Sequence, residues 1–317
     1  FTQTANGEQK SLNAPSDSGK NLTLTASESA VAQGQNLASD RMAIQGQTVD
    51  ITDSQTSANQ LNITATTGDI VANHSTIQTQ KNATFNTPTA LLTQHASLNG
   101  EQLQITAARA DNSGGSWIQR GTSDWALNLT DGLTNNQGQI STQGNFSLNT
   151  ATLQNRQGVL DSGGNLQLNS GTTGKINNQD GVLSSRQAIE VKSGQLNNQR
   201  GLIQSAGDMA IDTYGHQLDN RFTLNDKRNL GIISLGNFSL NSGQWENTQG
   251  YLASQGTQNI TLSDALNNSA GNINALADSA ITAISWNNSQ GVFSSNGLFS
   301  LSLSGDLRGD NSRITSQ

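Results

Sequence analysis

The stretch Leu196-Asn-Asn-Gln-Arg-Gly-Leu-Ile-Gln-Ser-Ala-Gly-Asp-Met-Ala-Ile211 decides how this chain folds. Its second half alternates. Met209 and Ile211 fall on one side with Ala210 between them, the period of two that a β-strand presents to a core. Its first half sets Asn198 and Gly201 three apart, a turn signal followed at once by the apolar pair Leu202-Ile203. Turn and strand succeed one another too quickly for a helix to intervene.

Outward from this stretch, the apolar-x-apolar pair recurs on both sides. Before it come Leu22/Leu24, Met42/Ile44, Leu61/Ile63, Ala83/Phe85, Leu103/Ile105, Leu127/Leu129, Phe146/Leu148, Leu166/Leu168 and Ile189/Val191. After it come Phe238/Leu240, Ile260/Leu262, Ile281/Ala283 and Phe299/Leu301. These make fourteen copies, mostly about 20 residues apart. The turn recurs as well, with Asn135 and Gly138, Asn155 and Gly158, Asn178 and Gly181, Asn247 and Gly250, Asn268 and Gly271, and Asn288 and Gly291. Its Gly suits a position with positive φ. Its Asn, held at one register, can stack on the next copy and bond the turn backbone. A short-strand repeat without helices predicts an all-β fold, a parallel β-helix of about fourteen coils. We expect one domain over 1–317, with an irregular end at 1–20, degenerate coils at 20–130 and motif-bearing coils at 131–317.

Composition agrees. Of 317 residues only 32% are apolar and 12% charged, too polar for a broad core and too weakly charged for solvated disorder. A narrow core under a large uncharged surface remains. The net charge of −7, with Lys and Arg scattered, argues against a nucleic-acid partner. No apolar run approaches the roughly 18 residues of a membrane span, so this segment is not expected to insert. The absence of Cys removes disulfides and thiolate metal sites.

The 196–211 unit, with the Asn-x-x-Gly motifs over 133–301, resembles the repeat of filamentous-haemagglutinin-type exoproteins. That family includes adhesins and the CdiA-type contact-dependent growth-inhibition proteins of Gram-negative bacteria. Over 20–130 the strand register continues without the motif. The resemblance implies a right-handed parallel β-helix fibre, secreted through a dedicated outer-membrane partner by two-partner secretion and displayed on the cell surface. In the growth-inhibition branch it implies binding of an outer-membrane protein receptor on a neighbouring bacterium before toxin delivery. In the adhesin branch the partner would be a host-cell surface ligand. The secretion motifs and toxin terminus of the family are not found in this stretch, so it is expected to be interior to a longer protein.

An enzyme on the same fold would need carboxylates converging from adjacent coils. The column three residues after each turn Gly holds Ser141, Asp161, Ser184, Gln204, Ser234, Ala253, Asn274 and Ser294, one acid in eight. His74, His95 and His216 form no metal-ligand spacing. No catalytic residue, metal or cofactor is therefore expected. Arg308-Gly309-Asp310 is an Arg-Gly-Asp tripeptide of the kind an adhesin could offer to host integrins, but in a chain rich in Gly and Asp it reads first as an ordinary turn.

Two long intervals carry more. One adds about four residues around 108–123, with Trp117, Arg120, Asp124 and Trp125 nearby; the other adds about nine within 214–231, covering Arg221, Phe222, Asp226, Lys227 and Arg228. Extra residues in a solenoid bulge sideways, and Trp and Arg dominate interface energies. These nine are the candidate partner-binding residues, although Trp117 and Trp125 could equally pack on the core. Trp245 and Trp286 replace Leu in the inward column and belong to the core. The function expected is a non-enzymatic segment of a surface fibre that binds a receptor on a neighbouring cell. A host-cell adhesin and a plain spacer stand beside that reading, and a carbohydrate-active β-helix enzyme more remotely.

Overall fold

Period-two stretches interrupted every few residues can bury their apolar side only by stacking on copies of themselves, and the chain does so. The structure is a computed structural model that describes residues 2–5, 16–17, 20–224 and 229–317. It is an all-β parallel β-helix in two compact units, 1–150 and 151–317, with about fifteen coils in all.

In the second unit one coil runs through the strands Leu202–Ser205, Met209–Asp212 and Leu218–Asp219, and the next through Gly231–Ser234, Phe238–Ser242 and Trp245–Glu246. Like pairs with like in parallel: Ile203 with Ile232, Met209 with Phe238, Leu218 with Trp245. Inward columns result, such as Ile203, Ile232, Leu252, Ile273 and Phe293, all fully buried. Trp245 and Trp286 lie in the column of Leu218 and Leu266 and are completely buried.

The first unit is built alike. Leu22, Met42, Leu61, Ala83 and Leu103 form one inward column, and Ile77, Leu98, Trp117 and Ile140 another. Thr2–Ala5 pairs in parallel with Thr23–Ala26, and Ser16–Asp17 with Asn36–Leu37. The apolar pairs of the sequence omit the coil that Thr2–Ala5 begins, because Thr-Gln-Thr-Ala carries no large apolar residue.

Three corners close each coil, and polar side chains bridge successive coils at each. At the first, in the second unit, the carboxamide Nδ2 of Asn155 donates to Asn178 Oδ1, and so on through Asn198, Asn220, Asn247, Asn268 and Asn288 at 2.7–2.8 Å. Each of these Asn residues is fully buried. Nδ2 of Asn178 also donates to Gly181 O in its own turn and to Leu202 O in the next coil. In the first unit Asn112 donates to Asn135 in the same way. Asn112, with Gly115 three residues on, carries the Asn-x-x-Gly spacing inside the 20–130 stretch that was expected to lack it, and Asn220 is a ladder member the spacing does not reveal, since Thr223 takes the Gly position. At the second corner Asp208, Asn237 and Asp278 each accept, through Oδ1, the backbone N–H of Asn237, Thr257 and Leu298 in the following coil. At the third, Ser170 donates to Ser193 and Thr213 to Ser242.

One expectation is corrected. The motif Gly does not adopt positive φ; the residue before it does, as with Asp180 (55°), Arg200 (52°), Ala270 (51°) and Gln290 (56°). Gly is required for a different reason. A Cβ at Gly201 would lie 2.4 Å from Asn178 O and 2.5 Å from Asn198 Oδ1, so the ladder itself occupies the space. The same turn persists where the motif is absent. Ser54, Ser75 and Ala96 donate to Ile51, Ala72 and Thr93 just as Gly138 donates to Asn135.

Candidate functional site

The register of each unit locates the lateral excursions. In the second unit Asp212 pairs with Asn241 and Leu218 with Trp245, so two more residues separate the first members than the second. That small bulge carries Tyr214 and Gly215, both with positive φ. After Asn220 the turn is regular: Phe222 takes the positive-φ place (62°), and Thr223 takes the Gly place. Thr223 is buried, donates to Asn220 O and accepts from Tyr251 N–H. Gly231 resumes the strand opposite Leu202, so the larger excursion is 224–230. Gly231 is therefore a strand residue, and Ile233, not Ser234, stands in the outward column; Ser234 is buried beneath it.

Arg221 and Phe222 thus belong to the turn and flank the excursion. Arg221 donates from Nε and Nη2 to both oxygens of Asp219, at 3.0 and 2.8 Å, and its guanidinium lies 5.8 Å from the Phe222 ring centre. The hydrogen bond to Asp219 holds the Arg221 pKa above its ordinary value against a smaller burial effect. Asp219 also accepts from Gln199 Nε2 at 2.7 Å. Phe222 and Leu224 are exposed by 42% and 43%, and Tyr214 by 39%, a set of apolar groups facing solvent. Asp226, Lys227 and Arg228 lie outside the described residues.

In the first unit the extra residues form the corner 120–124, between Ser116–Gln119 and Trp125–Leu129. Trp117 and Trp125 are not available to a partner. They are 0% and 2% exposed because both occupy inward positions of strands, Trp117 between Leu98 and Ile140 and Trp125 opposite Phe146. Their rings pack together at 6.4 Å, and Trp117 Nε1 donates to Thr93 Oγ1 at 3.0 Å. Arg120 and Asp124 are at the surface but engaged: Arg120 Nη2 donates to Thr79 O, and Asp124 Oδ1 accepts from Asn145 Nδ2.

Carboxylates do not converge in the outward column, where Asp161 accepts a hydrogen bond from Ser184 and no second acid stands beside it. His74 and His95, distant in sequence, stack in adjacent turns with centroids 5.4 Å apart, and Asp53 is 3.8 Å from His74 Nδ1. Among the described residues no group of three His, Asp or Glu could hold a metal ion, and no helix is long and apolar enough to cross a membrane.

Stacked coils, an amide ladder and lateral excursions define a repeat segment. A haemagglutinin-repeat family model matches residues 12–73, 56–137, 118–175, 162–215, 215–270 and 259–316, and the chain belongs to that family. The match extends over the coils that lack the Asn-Gly motif. The chain is also 33% identical to a toxin CdiA of Yersinia pestis over 132 residues, which is 42% of this chain and 4% of that relative's length. No solved structure matches. The chain is a segment of a cell-surface exoprotein with a structural or adhesin role.

Proposed function

We propose that this segment extends a secreted exoprotein of the growth-inhibition kind from a Gram-negative cell and engages a receptor on a neighbouring cell through the second unit's excursion. The carrying observation is the placement of 224–230. It lies between the turn residue Thr223 and the strand residue Gly231, whose register is undisturbed; exposed Phe222 precedes it and exposed Leu224 begins it. Leu224 N–H still bonds Gln249 O in the next coil, and residues inserted sideways between a turn and a strand commonly serve recognition. Similarity to toxin CdiA supports an outer-membrane protein receptor on a target bacterium over a host ligand, and a dedicated outer-membrane secretion partner for the parent protein. The segment acts without catalysis.

Deleting 224–230, which joins Thr223 to Gly231 as Gly250 joins Tyr251, tests this. The purified chain is expected to bind Gram-negative cells saturably. The deletion variant is expected to fold with an unchanged melt and to lose that binding at least tenfold. Equal binding by both, or by neither, removes the reading; binding confined to epithelial cells replaces it with an adhesin.

A further inference from the structure

The outer face of the second unit's long-strand sheet carries a groove that no excursion lines. Its volume is about 420 Å³, and it crosses five successive coils. Gln167, Glu190, Ala210, Ser239 and Asn259 pair in register along it. The short side chains of Ala188, Ala210 and Ser239 form a shallow floor, and Gln167, Glu190, Asp208, Asn237 and Asn259 stand around it. Asp208 spends Oδ1 on the N–H of Asn237, and Asn237 spends Oδ1 on Thr257, so Asp208 Oδ2 and Asn237 Nδ2 are left outward. The side chains of Gln167 and Asn259 are exposed and make no hydrogen bond among the described residues.

We propose that this groove binds a neutral, hydroxyl-rich glycan lying along the axis of the unit. Planar carboxamides and carboxylates present paired donors and acceptors that match vicinal hydroxyls, and the carboxylates make the stronger, charge-assisted bonds. The two alanine methyls offer an apolar floor to the C–H face of a sugar ring. Coils repeat at about 4.8 Å, close to the length of one pyranose in an extended chain, so each sugar meets the next coil's side chains. Charge selects among saccharides. Glu190 is paired with Lys192 Nζ at 2.5 Å, while no cation pairs with Asp208 among the described residues, so a sulfated or carboxylated chain would be repelled. A polypeptide strand has nothing to add to here, because these strands are already paired on both sides.

The test is titration calorimetry of the whole chain with cellohexaose, chitohexaose and maltohexaose, beside a heparin hexasaccharide. At least one neutral hexaose is expected to bind saturably, and heparin not at all. Ala210→Tyr, which fills the floor from an outward position, is expected to weaken binding at least tenfold. Ser300→Tyr, on the same face beyond the groove, is expected to leave it unchanged. Joint replacement of Gln167 and Asn259 by Ala should also weaken binding, and neither side chain supports the fold. No neutral binding, heparin bound more tightly, or equal affinity in Ala210→Tyr and Ser300→Tyr each overturns the proposal. Deleting 224–230 is expected to leave glycan affinity intact, so loss of cell binding in that variant speaks only to the excursion.

Discussion

At Gly201 the sequence motif and its physical cause part company. The residue type suggested a backbone that only Gly adopts, yet the strained φ sits one residue earlier, on Arg200. What Gly201 lacks is a Cβ, whose place is taken by the Asn178 carbonyl and the Asn198 carboxamide. Gly201→Ala is therefore expected to cost about 1–3 kcal/mol, because backbone and ladder must move apart. Gln290→Gly, at a φ of 56°, is expected to lie within about 0.5 kcal/mol of the parent. Relief of the left-handed backbone there offsets the greater freedom of the unfolded chain. Urea unfolding of the two variants distinguishes the roles; a neutral Gly201→Ala would mean the ladder is not close-packed. The distinction was hidden in the sequence because both explanations ask for Gly.

Among elements, the long strands were legible and the corners only partly so. Period-two apolar pairs identify inward residues directly, as with Met209 and Ile211. Corner chemistry was visible where Asn and Gly coincide, as at Asn112 and Gly115 with Ala110 in place of the usual Leu or Ile, and invisible where one is replaced: Asn220 with Thr223, and the substitutes Ile51 and Ala72, hold the same turn with other side chains. Excess length located both large excursions, but not which residues leave the coil. Trp117 and Trp125 were ambiguous because an inward Trp and an exposed one look alike in a short loop. Arg221 looked like part of the bulge, yet it anchors the turn before it. Its pKa is raised, foremost by the Asp219 hydrogen bond. A raised basic pKa stabilises the fold at any pH below the ordinary arginine value, with loss only as pH climbs through the higher folded value. Arg221→Gln leaves the buried Asp219 carboxylate with Gln199 as its remaining side-chain partner and is expected to cost about 1–2 kcal/mol at neutral pH. In the parent, melts at pH 6 and pH 9 should show no loss attributable to this pair; a loss by pH 9 would show the guanidinium is not what holds the turn.

For the whole chain, a composition with only 32% apolar residues is enough because each coil adds the same small set of inward side chains. Stability is then local, the sum of each coil and its contacts with neighbours, and it should follow the distribution of the ladder. In the second unit six consecutive Asn-to-Asn steps run from Asn155 to Asn288. In the first unit Ile51, Ala72 and Thr93 fill the corresponding places before Asn112, whose Oδ1 is buried with no donor opposite. A buried hydrogen bond is worth about 1 kcal/mol, and the carboxamide makes three at Asn155, Asn178, Asn198 and Asn268, two at Asn220 and one at Asn247. Native-state hydrogen exchange should therefore find the turn amides of Gly181, Gly201, Gly271 and Gly291 protected about 10- to 100-fold beyond those of Ser54, Ser75 and Ala96, after correction for intrinsic rates. Asn198→Ala removes the best of the three acceptors of Asn178 Nδ2 and leaves Asn220 Oδ1 without the Asn198 donor. Exchange should quicken at Gly181, Gly201 and the coil of Asn220, and stay unchanged at Gly291, four ladder steps away. If protection instead fell uniformly, the unit would open as a single cooperative body and the ladder would not set its stability coil by coil.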